Sequence, residues 1–125
     1  MCVPAVRFRV EMGAEAVGPG KISLLERIAC SGSLSQAARD LGMSYRRAWQ
    51  LMASLNSTFT APVVLTTRGG RGGGGAALTP LGERLIRAYR ALDADIQVRA
   101  RRRFRPLARA ARDAARPLRP RAAVR

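Results

Sequence analysis

Residues 33–55 decide the fold, and they read SLSQAARDLGMSYRRAWQLMASL. The segment contains two apolar repeats at helical spacing, separated by Gly42-Met43-Ser44. Ser33, with Gln36 three residues later, forms the pattern of a capping box at the start of the first repeat, and Ser44 can cap the second. We therefore predict two short helices joined by a tight turn, the second with Arg and Gln near its start. This pattern is typical of a helix-turn-helix.

Two elements are predicted before this motif. Residues 5–12 alternate between apolar and charged side chains, as in a half-buried strand. Its apolar side is formed by Val6, Phe8, Val10 and Met12. After a break at residues 18–20, apolar residues recur at helical spacing from Ile22 to Ala29, and Gly32 offers a stop. The sequence thus predicts a short strand followed by the first of four helices.

After the motif, the sequence predicts a hairpin and a long helix. The β-prone segments Val63–Leu65 and Ala76–Leu78 flank a glycine-rich run, which is typical of a hairpin with a long tip, or wing. Thr79-Pro80 then reads as an N-cap followed by proline in the first turn. The helix that begins there is predicted to end near Arg99. The predicted fold class is mainly α with a small β wing, a winged helix-turn-helix with a long C-terminal dimerisation helix.

Charge and composition narrow the function. The 125 residues include 23 Lys and Arg against 8 Asp and Glu, for a net charge of +15, which favours a polyanionic partner such as double-stranded DNA. No histidine is present, so Ser–His and Cys–His catalysis are excluded. The two cysteines have no zinc-site spacing. We expect no enzyme activity, metal or cofactor, and a cytoplasmic protein with reduced thiols.

The positive charge is unevenly distributed. Residues 1–98 contain twelve basic and seven acidic side chains, whereas residues 99–125 contain eleven Arg and one Asp. Three prolines, at positions 106, 117 and 120, are expected to interrupt any helix in the second segment. We therefore predict a folded domain over residues 1–98 and a disordered Arg/Ala/Pro-rich tail over residues 99–125. The tail's charge does not by itself indicate that the folded domain binds DNA.

Candidate DNA-binding residues follow from the predicted helix-turn-helix. Arg and Gln can bind guanine and adenine edges through two hydrogen bonds, so Arg46, Arg47 and Gln50 are the predicted base readers. The predicted contacts also include Ser44 and Tyr45 beside them, Ser33, Ser35 and Gln36 at the start of the preceding helix for phosphate, and Arg68 and Arg71 in the wing. An ordinary solvated helix face is the alternative interpretation.

Other residues of these helices receive different interpretations. We expect Trp49 to serve packing or a dimer contact rather than recognition, and Cys30 to be a small buried residue. The apolar stripe of the last helix, formed by Leu85, Tyr89, Leu92 and Ile96, continues beyond what so small a domain can cover. It therefore predicts a partner helix, most simply from a second copy of the chain.

Several segments together resemble the N-terminal domain of ModE-type molybdate-responsive regulators, which is itself similar to the LysR-type winged helix. The segments are KISLLERI at 21–28, GSLSQAA at 32–38, GMSYRRAW at 42–49, LN at 55–56, GGRGGGGA at 69–76 and LTPLGERLI at 78–86. The resemblance covers about residues 20–92. It implies a dimeric bacterial transcription regulator, with the helix from Ser44 to Leu55 in the major groove and a dimerisation helix after Thr79.

The resemblance also bears on small molecules. Full-length members of the family carry a C-terminal oxyanion-binding module that senses molybdate, and an Arg/Pro/Ala-rich tail stands here where that module would begin. We therefore expect no small-molecule effector site in these residues. Three alternatives stay open: a nonspecific nucleoid-type DNA-binding protein, an adaptor that pairs with a full-length regulator, and a tail that is only the remainder of a lost module.

Overall fold

The computed structural model describes residues 2–67 and 74–112, which divide into two units, one of residues 7–91 and one formed by the two ends of the chain. The second unit consists of residues 1–6 and 92–125, as far as these are described. The elements in chain order are β1 (Val10–Met12), β2 (Glu15–Val17), α1 (Pro19–Ser31), α2 (Leu34–Asp40), α3 (Tyr45–Thr58), β3 (Val64–Thr66), β4 (Ala76–Leu78) and α4 (Pro80–Ala108). The winged helix-turn-helix fold class and the long last helix are confirmed.

The core of the first unit is built where α1, α2 and α3 meet. Its fully covered side chains are aliphatic and come mainly from α1, α2, α3 and the wing. They include Ile22, Leu24, Leu25, Ile28, Ala37, Ala38, Ala48, Leu55, Val63 and Val64. The alanines of α2 and α3 lie where the two helices pack, because a small side chain lets their backbones approach closely. Burial of this cluster, and not helix propensity, holds the short α2 in place.

The predicted capping box at the start of α2 is formed only in part. The Ser33 Oγ accepts a hydrogen bond from the Gln36 N–H at 3.0 Å, as predicted. The return bond, from the Ser33 N–H to the Gln36 side chain, is absent, and the Gln36 Oε1 instead accepts from Arg39 Nη2 at 2.8 Å. The Ser33 N–H instead donates to Ser31 Oγ at 3.3 Å. The cap is therefore shared between two serines.

The turn between α2 and α3 depends on glycine. Gly42 has φ of 68°, in the left-handed region where residues with a Cβ are strained. This conformation brings the Met43 N–H to the Ala38 carbonyl at 3.0 Å. Ser44 then caps α3, with its Oγ accepting from the Arg47 N–H at 3.0 Å. The predicted tight turn and the second cap are both confirmed.

The wing is an antiparallel hairpin, as predicted. Strands β3 and β4 pair in the register Val64 with Leu78, Leu65 with Ala77 and Thr66 with Ala76. One further pair of residues extends the ladder, since the Thr67 N–H donates to the Gly75 carbonyl at 2.9 Å. The predicted hairpin tip lies outside the described residues.

The N-terminal strand is shorter than predicted. Of residues 5–12, only Val10–Met12 form a strand, β1, and it pairs with β2, which was not predicted. The inner face is also shorter, because Val6 and Met12 are exposed while Phe8 and Val10 pack against the core. Strand β2 has only three residues, too few for alternation to reveal a strand in the sequence.

Helix α4 extends to Ala108, beyond the predicted end near Arg99, so the predicted boundary at residue 98 falls inside it. Pro106 lies in its last turns, where the missing N–H costs one backbone hydrogen bond but the proline φ still suits a helix. Residues 99–105 are mostly Arg and Ala, which are strong helix formers, and no glycine interrupts them. Charge density therefore does not end the helix.

The first turns of α4 are fastened to α1 by an ion pair. The Arg90 guanidinium donates to both carboxylate oxygens of Glu26, from Nε at 2.8 Å and from Nη2 at 2.7 Å. The hydrogen bonding and positive charge of Arg90 lower the pKa of Glu26, against the opposing effect of partial burial. The paired geometry fixes the orientation of α4 against α1 in this unit.

In the second unit, the N-terminal segment binds the later part of α4. The Gln97 side chain forms two hydrogen bonds with the backbone of Val6. Its Oε1 accepts from the Val6 N–H at 2.9 Å, and its Nε2 donates to the Val6 carbonyl at 2.8 Å. Ala100 and Ala108 are buried on the same helix. Gln97 also donates to Asp93 Oδ1, one turn earlier. The extended segment is thus held by its backbone.

We expect Gly82→Ala to destabilise the first unit. A Cβ at position 82 would lie 2.5 Å from the Val63 carbonyl oxygen and 3.1 Å from Val63 Cγ1, so α4 and the wing would have to separate. Overpacking of this kind costs about 1–3 kcal/mol. Denaturant unfolding of the purified protein measures the loss.

Gly20→Ala in α1 is the matched control, because nothing lies within 4 Å of the added Cβ. That variant should match the wild type or gain up to about 1 kcal/mol, since alanine favours a helix over glycine. Equal stability of the two variants would show that the approach of Val63 to α4 is not a constraint.

Candidate nucleic-acid interface

Helix α3 has one buried face and a broad exposed one. Ala48, Met52 and Leu55 point into the core. On the opposite side, Arg46 and Gln50 are exposed one turn apart, and no hydrogen bond within the described residues engages either side chain. The two predicted base readers therefore share one outward stripe near the N-terminus of the helix.

Arg47, the third predicted reader, lies on a flank of α3 and not on that outward stripe. It lines a cleft of about 600 Å³ together with Leu51, the β1–β2 hairpin and the start of α1. Arg9 of the segment before β1 lines the same cleft. Both arginines are exposed. This position suits a contact with a backbone phosphate better than one with a base edge.

A part-buried network of hydrogen bonds holds this flank of α3. The Lys21 ammonium donates to Ser54 Oγ and to the Ala16 carbonyl, each at 2.7 Å. The Ser54 hydroxyl donates to Glu15 Oε1 at 2.6 Å. This hydrogen bond, followed by the positive charge of Lys21, lowers the pKa of Glu15, although desolvation opposes the shift. One chain of bonds therefore joins β2, α1 and α3.

The opposite flank of α3 is fastened to the wing by one amide. The Asn56 Oδ1 accepts from the N–H groups of Val63 and Val64, at 2.7 and 3.0 Å, and its Nδ2 donates to the Val64 carbonyl at 3.1 Å. Sequence reasoning gave Asn56 no role of its own. Its signal was an amide next to the core residue Leu55, where an apolar or small side chain is more usual.

Two aromatic side chains are exposed on α3, one turn apart. Tyr45 is 53% exposed, as suits its predicted place in the interface. Trp49 is 49% exposed and is not among the described side chains that pack against the core. Trp49 is therefore half-buried without packing on the core cluster of the described residues, and a dimer contact stays a prediction. Position 49 follows the buried Ala48, but one residue of helix turns a side chain by about 100°, out of the core.

The predicted phosphate contacts differ in their surroundings. Ser33 is half-buried with its hydroxyl occupied by the cap of α2, and the Gln36 amide is bonded to Asp40 and Arg39. Ser35 is exposed at the surface of the same helix. Ser44 is exposed too, although its oxygen already caps α3. Arg68 and Arg71 lie outside the described residues.

The apolar stripe predicted on α4 is divided between the two units. In the first unit, Tyr89 is 5% exposed, and its ring stacks on Phe8 at 4.7 Å between centroids while its hydroxyl donates to the Phe8 carbonyl. Leu85 packs against the same core. In the second unit, Leu92 is exposed and Ile96 half-buried. Two of the four predicted dimerisation residues are thus covered by their own chain.

The remaining features of the described residues concern Cys30, metal binding and membrane spans. Cys30, expected to be buried, is exposed because it lies near the solvent side of the last turn of α1. Within residues 2–67 and 74–112, no three His, Cys, Asp or Glu side chains are grouped so that they could hold a metal ion. Across the same ranges, every helix is too short or too polar to cross a bilayer.

Comparison with known proteins agrees with this geometry. The profile of the bacterial regulatory helix-turn-helix proteins of the lysR family matches residues 20–83, just over half of the chain. The chain belongs to this family. The matched range begins at α1 and ends in the first turn of α4, so it contains the helix-turn-helix and the wing.

Individual relatives of this LysR-family chain are much longer. It is 46% identical over 90 residues to the molybdenum-pterin-binding protein MopB of Rhodobacter capsulatus, covering 72% of this chain and 32% of MopB. It is 49% identical over 82 residues to the DNA-binding transcriptional dual regulator ModE of Escherichia coli K12, covering 66% and 31%. The molybdenum transport protein ModE of Azotobacter vinelandii is 37% identical over 98 residues, covering 74% and 36%. The chain spans about a third of these curated relatives.

We expect Asn56→Ala to loosen the wing. Three backbone groups of Val63 and Val64 would lose their partner, and each buried group left unpaired costs about 1–3 kcal/mol. Because these three bonds are only part-buried, water can replace the amide in part, so denaturant unfolding should show a total loss of about 1–3 kcal/mol and not three full penalties. Amide hydrogen exchange should accelerate at both valines. Asn56→Asp keeps the oxygen that accepts from the Val63 and Val64 N–H groups but places a carboxylate oxygen against the Val64 carbonyl, so exchange at the two valines should stay slower than in Asn56→Ala although stability still falls.

Gln50→Ala is the control for this prediction, because it removes an exposed amide from the same helix. Its stability should stay within about 0.5 kcal/mol of the wild type. If Asn56→Ala were as stable as Gln50→Ala, with unchanged exchange at Val63 and Val64, the amide would not hold the wing.

Proposed function

We propose that the protein is a sequence-specific DNA-binding transcription regulator that places α3 in the major groove. The observation that carries this proposal is the position of Arg46 and Gln50, exposed on one outward stripe of a helix whose other sides are fixed. A side chain can discriminate bases only if its backbone is held, and here both flanks of α3 are hydrogen-bonded to neighbouring elements. The family membership supports the same proposal.

The interface residues take separate roles. Arg46 and Gln50 would read base edges, Arg preferring guanine and Gln adenine. Arg47, on the cleft side, would bind a phosphate and position the helix. Ser35 and Ser44 are the exposed hydroxyls of the two helix starts and would add phosphate contacts. The predicted wing contacts of Arg68 and Arg71 would follow the groove beside α3.

We also propose that the functional form is a homodimer. Leu92 is 41% exposed in the second unit, and Ile96, one turn later on the same side of the helix, is half-buried. A second copy of α4 would cover such apolar side chains. Two copies would place two α3 helices on half-sites about 34 Å apart, so the proposed operator is palindromic.

A link to molybdenum rests on the relatives' names alone. Two relatives are named as a molybdenum-pterin-binding protein and a molybdenum transport protein, and this chain matches about a third of their length. We propose that the regulated genes belong to molybdenum metabolism. No effector site is proposed within the described residues.

Selection of bound sites from genomic and random DNA at near-physiological salt tests the central proposal. We expect one palindromic motif, and Arg46→Ala or Gln50→Ala should each weaken binding to it by about 1–3 kcal/mol and relax preference at one position. Arg47→Ala should weaken binding to all DNA sequences alike. It should also reduce, by about one, the slope of the logarithm of the binding constant against the logarithm of the salt concentration. The genomic positions recovered show whether the targets concern molybdenum.

Arg87→Ala is the matched control, since it removes an exposed arginine from α4 and leaves α3 unchanged. It should keep the motif and the preference at every position. A selection that returned no motif, with affinity following ionic strength alone, would instead support the nonspecific nucleoid-type binder, which the net charge of +15 favours.

For the dimer, we expect Leu92→Arg to produce a monomer. A charge on the apolar stripe would be buried without a partner in the dimer, which is strongly unfavourable. Sedimentation velocity at micromolar concentration measures the mass. Ala94→Arg, two residues later and on the opposite side of the helix, should remain dimeric. A monomeric wild type, or a dimeric Leu92→Arg variant, would contradict the proposed interface.

A further inference from the structure

We propose that Trp49 is a specificity-determining residue that contacts the C5-methyl group of a thymine in the bound DNA. The inference rests on the proposed function, because it requires α3 to enter the major groove. It assigns a recognition role to a side chain that is neither part of the core nor polar. Tyr45, one turn earlier on the same side of α3, would border the same contact.

The exposure of this aromatic pair is the first observation. Both side chains are about half exposed on the N-terminal half of α3, beside Arg46 and Gln50. Single apolar residues are common on protein surfaces, but here two large aromatic side chains lie one turn apart on one side of α3 and form a short aromatic strip. Such a strip on a helix that meets a ligand is usually covered by that ligand.

The direction of the strip is the second observation. Trp49 is one residue before Gln50, so its side chain points about 100° around the helix from the outward stripe. Asn56 lies seven residues later, which is about two turns, and its amide binds β3. The Trp49 edge of α3 therefore faces the wing side, whereas Arg47 occupies the cleft side. Apolar and cationic side chains thus border the outward stripe on opposite flanks.

The chemistry of the groove identifies the partner. Base edges in the major groove present hydrogen-bond donors and acceptors, and the thymine methyl is the apolar group among them. An indole ring beside Arg46 and Gln50 would meet a base pair next to the ones that those side chains read. Contact with the methyl removes apolar surface from water on both partners, so it favours T·A at that position.

Replacement of thymine by deoxyuridine tests the inference without changing the protein. Each thymine of the selected duplex is replaced in turn, which removes only the methyl group. For the wild type, we expect one symmetric pair of positions where binding weakens about fourfold per half-site, the loss for a buried group of that size. For Trp49→Ala, the same replacement should have no effect, although its overall affinity is lower.

Leu65→Ala is the matched control, because Leu65 is 56% exposed on β3 and its truncation also removes an exposed apolar group. It should keep the full deoxyuridine penalty. Circular dichroism melting checks that each variant is folded, and the wild-type measurement stands even if Trp49→Ala is not.

Three results would overturn the inference. They are the absence of any deoxyuridine-sensitive position in a specific duplex, a penalty that persists in folded Trp49→Ala, and a penalty that Leu65→Ala also abolishes. Each leaves the proposed function standing, because the motif and the Arg46 and Gln50 effects would be intact. Failure to select any motif would overturn the proposed function itself, and the inference with it.

Discussion

Helix α3 is held from both sides by hydrogen bonds that its own side chains, Ser54 and Asn56, make to neighbouring elements. Asn56 satisfies three backbone groups at the start of β3, and Lys21 joins Ser54 to the Ala16 carbonyl. Burial of Ala48, Met52 and Leu55 fixes how deep α3 lies, but an apolar face alone permits sliding and rotation. The polar bonds have direction and length, so they remove that freedom. The backbone that carries the exposed side chains between the two flanks is therefore fixed.

The helix-turn-helix was predictable because the residues that specify it act on residues close to them in the sequence. Ser33 and Ser44 cap helices through atoms three residues away, and Gly42 adopts a conformation that other residues resist. The core side of α3 followed from periodicity for the same reason. Arg46 and Gln50 could be selected as candidates because their positions on the helix follow from their spacing to Ala48. None of these inferences needed knowledge of what packs against the segment.

The remaining features depend on partners distant in the sequence, which spacing does not show. Asn56 gains its role from Val63 and Val64, and Tyr89 is covered by Phe8, which is 81 residues away. Arg47 and Trp49 are both close to Ala48 in sequence, yet they lie on opposite flanks because each residue turns the helix by about 100°. The predicted end of α4, near Arg99, is too early because the high helix propensity of Arg and Ala outweighs the repulsion between the arginines.

The bidentate grip of Gln97 on Val6 joins residues that are 91 positions apart. During translation, the N-terminal segment leaves the ribosome long before residue 97 is made, so its binding surface does not yet exist. Val6 must therefore stay unbound until this part of α4 has been made. Loop closure over so many residues is slow relative to the formation of local helical turns. The segment around Val6 is thus made early but fixed in place late.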